Sequence, residues 1–243
     1  TMRPVNKGKS PYQKIKSYEE ATPYLGKRLG FYCSYCEMPI KNVPEVEHFI
    51  AKSQGGSETD WENLLLGCKY CNTRKKDKVT LQEAGEYLRP DCDNTALAYS
   101  YEHGIPQIAK ERLLETDKTG SFYEKAQRLF GVVQLNHVPI PKEKDRRFHA
   151  RNEAYQIAKE SLQNWKQVKE NRNEYTDIVK NQILLTAVGS GFFSVWMTVF
   201  SEEPEMLLAF IEKFPNTRTE YFDERGKVRF KMSQSFLPTA GML

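Results

Sequence analysis

Four of the five cysteines in this 243-residue chain fall into two pairs of identical spacing, Cys33/Cys36 and Cys68/Cys71. A Cys-x-x-Cys turn presents two thiolates to a tetrahedral ion at about 2.3 Å, and two such turns complete a four-thiolate zinc site. A redox motif would not need the second copy, and ordinary core cysteines would not favour this spacing. Four thiolates leave no open position for water or substrate, so the ion is structural. The 31 residues between the pairs exceed the ~15–20 of a simple zinc ribbon. The metal therefore clamps the two ends of an inserted unit. Cys92 has no partner in the pattern and reads as an ordinary thiol.

Charge marks the same part of the chain. Residues 1–80 hold 14 Lys/Arg against 9 Asp/Glu, whereas residues 81–243 hold 22 against 23. The surplus positive charge thus sits in the first third, where an anionic partner is expected. Apolar residues make up 39% of the chain, with only 14 Gly and 12 Pro, which excludes disordered, collagenous and disulfide-scaffold classes. The polar, basic beginning lacks the apolar core of a secretory signal, and the odd cysteine count is a poor disulfide framework. A soluble, reducing, cytoplasmic setting is expected. The stretch 181–201 carries no charge, but Gly189-Ser190-Gly191 splits it. Two buried segments of a helical region are expected there rather than a membrane span.

The chain divides into a basic arm (1–27), a zinc-clamped module (28–80) and a mainly helical segment (81–243). Arg3, Lys7, Lys9, Lys14 and Lys16 of the arm fit either a solvated tail or a phosphate-tracking arm. Within the module, Glu45–Ile50 alternates with the period of a strand. Asp60 offers an N-cap for a helix over Trp61–Leu66. Asn72–Lys78, with Arg74, Lys75, Lys76 and Lys78, reads as a basic helix. Further on, Ala98–Tyr101 and the segment around Ile108 suggest a small β element. Phe148, Tyr155, Ala158, Leu162 and Trp165 share one helical face, and Ile178, Leu185 and the run to Phe200 continue that pattern. Pro204 starts another apolar helix bearing Met206, Leu207, Phe210, Ile211 and Phe214. The tail Glu220–Phe230 shows strand-like pieces about a turn at Gly226. The expected class is α+β.

Inside the clamp lie Glu47-His48, Gly55-Gly56 and Glu62-Asn63-Leu64, followed by Asn72 just after the last Cys-x-x-Cys. Over residues 31–78 this combination resembles the HNH endonucleases of the ββα-metal class. The resemblance implies hydrolysis of phosphodiester bonds in DNA or RNA with a divalent cation. Mg²⁺ is expected, held by Glu47 and Asn72 through oxygen and offsetting phosphate charge. His48 is the implied general base, and Asn63 the implied orienting residue, although Asn63 also suits a plain turn. Asn72 also suits a helix cap, and Glu45 is the second choice of carboxylate. Arg74 and Lys75 are candidates for backbone phosphates. Two departures bear on metal choice: Asn72 stands where many members have His, and Glu47 where Asp is common. His103, His137 and His149 match no motif and read as structural.

A narrower resemblance rests on Arg3-Pro4-Val5-Asn6-Lys7-Gly8, Tyr32–Glu37, Val46-Glu47-His48 and Trp61–Cys68, with Leu135-Asn136 and Asp145-Arg146-Arg147 further on. These are similar to the PtuB family, the HNH subunits of Septu-type antiphage systems, including those that accompany retrons. That resemblance implies a PtuA-type ATPase partner, a defence role and, in some systems, association with a retron reverse transcriptase/msDNA assembly. The competing expectation is a non-catalytic zinc module that binds nucleic acid or protein.

Overall fold

The computed structural model describes residues 2–170 and 173–232; the end of the C-terminal segment, 233–243, lies outside them. A first helix, α1 (Thr22–Leu29), begins with Pro23 and stops at Gly30. Strands β1 (Glu45–His48) and β2 (Leu64–Gly67) pair antiparallel, with Glu45 opposite Gly67 and His48 opposite Leu64. Helix α2 (Lys69–Lys75) follows at once, capped by Cys68, whose sulfur accepts from the Cys71 amide at 3.4 Å. This β–β–α order is the scaffold of the site.

The cap at Asp60 forms, its carboxylate accepting from the Glu62 amide at 3.0 Å, but it starts only a 3-10 turn over Trp61–Asn63. The expected helix over Trp61–Leu66 gives way to β2. Leu64, Leu65 and Leu66 are fully buried, and a short apolar run of this kind suits a core strand as well as a helix. Helix α2 likewise starts earlier than the basic run and ends at Lys76, whose φ of 47° stops it.

Beyond the module come α3 (Thr95–Ala98) and the hairpin of β3 (Tyr99–Glu102) and β4 (Ile105–Ile108). Helices α4 (Lys110–Thr116), α5 (Ser121–Val133), α6 (Arg147–Glu170), α7 (Tyr175–Ser190), α8 (Phe193–Val199) and α9 (Pro204–Lys213) complete the described chain. The uncharged stretch 181–201 thus becomes parts of two helices broken at Gly191. There φ is 72°, and a Cβ would meet Pro39 Cδ at 2.7 Å and the Glu37 carbonyl at 2.8 Å. No described helix is long and apolar enough to cross a membrane. In α9 the expected apolar face is buried. In α7 it is not: Ile178 and Leu185 are exposed, and Ile183, Leu184 and Ala187 face the interior.

Buried apolar residues from Met2 to Phe222 form one continuous cluster. The helical part grips the zinc knuckles directly. Glu37, buried beside Cys36, accepts from the Arg3 amide at 2.6 Å, the Ser194 amide at 2.9 Å and the Ser194 hydroxyl at 2.6 Å. The beginning of the chain is woven in as well, with Val5 bridging to Thr217. Two cations of the expected arm consequently point inward. Arg3 donates to the carbonyls of Leu29 and Pro215, and Lys7 pairs with Asp91 at 2.7 Å. Both are buried and engaged, so of the five cations expected to be free in the arm only Lys9, Lys14 and Lys16 are exposed.

Candidate active site

The four cysteine sulfurs lie within 4.8 Å of one another and all are buried. A tetrahedron with 2.3 Å metal–sulfur bonds has sulfur–sulfur edges of about 3.8 Å, and Cys36 Sγ stands 3.7 Å from Cys68 Sγ. The donor set and its spacing fit zinc. Main-chain bonds shape the first knuckle: the Cys33 amide donates to Met38, and the Glu37 amide donates back to Cys33. Cys92 stands apart from this cluster.

Next to the clamp is a cleft of about 620 Å³ whose walls include Glu47, His48 and Asn72. Neighbouring residues on a regular strand face opposite ways. Here β1 ends at His48 and the chain bends, and both side chains reach the same cleft. Glu47 lies at its floor, only 1% exposed, with Lys75 Nζ 2.8 Å from its carboxylate and the Tyr35 hydroxyl at 3.3 Å. Burial pushes the Glu47 carboxyl up to about 7 against the pull of Lys75. Asn72 donates its amide nitrogen to Glu45 at 2.8 Å, which leaves its oxygen as the acceptor end. Glu45 therefore orients Asn72, whereas Glu47 is the carboxylate that lines the cleft.

His48 Nε2 is 2.9 Å from the Glu58 carbonyl. A carbonyl only accepts, so Nε2 carries the proton and Nδ1 keeps its lone pair. Burial lowers the imidazole pKa below its ordinary value, with Lys52 acting in the same direction and the Glu58 bond opposing. The ring is consequently neutral at pH 7.

Asn63 makes its side-chain hydrogen bonds to the backbone and not to the His48 ring. Its oxygen accepts from the Ile50 amide at 2.8 Å, and its nitrogen donates to the carbonyls of Ile50 at 3.0 Å and Ser57 at 2.8 Å. It staples both ends of the loop 50–57, and the residue after that loop is Glu58, which holds His48. The approach is close at Gly56, where a Cβ would lie 2.1 Å from the Ile50 carbonyl oxygen and 2.9 Å from Asn63 Nδ2. Asn63 is thus linked to His48 only by way of the loop and Glu58.

The expected phosphate contacts need correction. Lys75 is buried on Glu47 and the His48 carbonyl, the latter at 2.9 Å. Arg74 is held by Glu143, Asp145 and Gln134. Helix α2 packs against both β1 and α5, so Lys75 turns toward β1 and half-buried Arg74 toward the segment that follows α5. The cations that do line the cleft are Lys52 and Lys76. Lys52 pairs with exposed Glu58 at 2.9 Å and lies 4.5 Å from the Tyr18 ring centre. Tyr18 in turn sets its ring edge-on to His48, with centres 4.9 Å apart. Lys76 was visible in the basic run. Nothing in the local pattern points to Tyr18, which is brought in by the fold.

Residues 33–78 match the family model of the HNH endonucleases. That span carries all four clustered cysteines together with Glu47, His48, Asn63 and Asn72. Among curated proteins and among solved structures, none matches the chain.

Proposed function

We propose that this protein is a metal-dependent endonuclease that hydrolyses phosphodiester bonds of DNA or RNA. The observation that carries the reading is the convergence of Glu47, His48 and Asn72 on one cleft beside a four-cysteine clamp, within the stretch that matches the HNH endonucleases. Neutral His48, its Nε2–H engaged by Glu58, takes the proton of the attacking water at Nδ1. The Glu47 carboxylate and the Asn72 amide oxygen are hard donors suited to Mg²⁺ or another divalent cation, which supplies charge stabilisation at the phosphate. Lys52 and Lys76 offer phosphate contacts that fix the strand without choosing a sequence. The similarity to the PtuB family supports the finer part of the proposal: a cytoplasmic nuclease subunit of an antiphage complex, working with a PtuA-type ATPase and, in retron-linked systems, with a reverse transcriptase/msDNA assembly.

The test is cleavage of labelled DNA and RNA side by side, with Mg²⁺ and with or without the ATPase, by wild type and His48→Ala. Wild type is expected to cut one of them, and His48→Ala to be about 10²–10⁴-fold slower with its fold and zinc intact. Equal cutting by both proteins would remove His48 as the base. If neither polymer is cut under any condition while nucleic acid is still bound, the protein is a zinc-containing binding module instead.

A further inference from the structure

Away from the cleft, the least satisfied polar group of the described residues is Arg151 on α6. Its side chain is fully buried, its Nε donates to the Gly104 carbonyl at 2.8 Å, and Nη1 and Nη2 have no acceptor. A guanidinium left unmatched in a protein interior is costly. One turn earlier, Arg147 is equally buried and well matched. It donates to Cys71 Sγ at 3.3 Å and to the Val133 carbonyl at 2.8 Å, and its Nε and Nη2 hold Asp145. Residues four apart share a helix face, so Arg151 lies on the side of α6 from which Arg147 reaches the clamp. The strongest electrostatic influences on Arg151 come from the Tyr101 phenol, the Cys36 and Cys71 thiols and Arg147. Tyr101 is itself buried with an unpartnered hydroxyl, and Arg147 repels Arg151. Of these groups, the thiols are the ones that bring compensating charge once they bind a metal.

We propose that Arg147 and Arg151 are the counter-cations of the zinc–thiolate centre, and that α6 packs stably only against the metal-loaded clamp. Four thiolates around Zn²⁺ carry a net charge of about −2. Partners of this kind around a metal set its affinity as well as its geometry. Arg147 already shares its charge with Asp145, which leaves Arg151 as the surplus cation that the centre neutralises. On this reading, zinc holds the two knuckles together and also fastens the helical part to them. The inference rests on the four cysteines binding zinc, a premise checked first by metal analysis of the full-length wild type.

The experiment compares full-length wild type, Arg151→Met and Arg151→Lys in two measurements. The first is zinc transfer to a competing chelator. The second is the energy of the thiolate-to-cobalt charge-transfer band after Co²⁺ substitution. Arg151→Met is expected to weaken zinc binding by about 10–100-fold and to shift the band, and Arg151→Lys to recover most of the affinity. Zinc affinity for Arg151→Met within about twofold of wild type, or no advantage of Lys over Met, would overturn the proposal. Should Arg151→Met fail to fold even in excess zinc, Arg151→Gln takes its place. Affinity in the order Arg, Lys, Gln then supports the inference, and Gln equal to or above Lys overturns it.

Discussion

Replacing Lys75 by Met separates the two roles open to this lysine. A surface phosphate contact would leave stability unchanged and reduce nucleic-acid affinity. The structure instead makes Lys75 the buried counter-ion of Glu47, with both side chains 1% exposed and 2.8 Å apart. The magnitude follows from proton linkage. Burial first, and Lys75 against it, set the Glu47 carboxyl at about 7 in the folded protein; in the unfolded chain it sits near 4.3. Because the folded value is raised, the folded state holds more protons between these values. Stability therefore falls as pH rises through that window and levels off above pH 7 in wild type. Without Lys75 the carboxyl titrates higher still, and the fall continues at about 1.4 kcal/mol per pH unit. The difference between wild type and Lys75→Met is thus small at pH 7 and larger at pH 8 and pH 9, growing toward about 1.4 kcal/mol for each further pH unit. A pH-independent cost of about 1 kcal/mol for the lost bond to the His48 carbonyl adds to each value. Urea unfolding of the zinc-loaded proteins at these pH values, without added Mg²⁺, measures it. The double variant Glu47→Gln/Lys75→Met should lose the pH-dependent difference, since neither charge remains to be buried. A difference that stays flat from pH 6 to 9 would refute the buried-pair reasoning.

Asn63→Ala removes three hydrogen bonds to the loop backbone and leaves Ile50 and Ser57 groups unmatched. It should cost about 2–4 kcal/mol in urea melts and slow cleavage through misplacement of His48. Burial alone would raise the Asp91 carboxyl, but Arg89 and Lys7 overcome it and hold it well below the usual carboxylate range. The stability this gives is present above the unfolded carboxylate value near pH 4 and is lost progressively as pH falls below it, toward the folded value. Asp91→Asn, followed by thermal melts, should flatten the acid limb between about pH 5 and 2. Cys68→Ser should lose zinc and cooperative folding together, read by metal analysis and circular dichroism. A zinc-replete, cooperatively folded variant would remove the clamp argument.

The sequence by itself pointed to the four clustered cysteines as candidate zinc ligands, to the candidate base and to the candidate cation-binding pair, because these depend on residue type and short spacing. Two Cys-x-x-Cys turns, Glu47-His48 and Asn72 keep their meaning wherever the rest of the chain goes. The helical identity of much of the second half was legible for a similar reason, as apolar spacing in α9 maps directly onto a buried face. Tertiary structure decided which charges are buried. Lys75 and Arg74 look like surface cations in a basic run, and Arg147 and Arg151 like the polar side of an amphipathic helix. Their acceptors lie on distant segments, namely Glu47, Asp145, the Gly104 carbonyl and the Cys71 sulfur. Burial of a charge is set by what packs over it, and local pattern carries no record of that. The same holds for Asn63, whose hydrogen bonds go to a loop, and for Tyr18, which only the closed fold sets beside His48. The chemistry of the site was therefore written in its residues, and its electrostatic support in the packing around them.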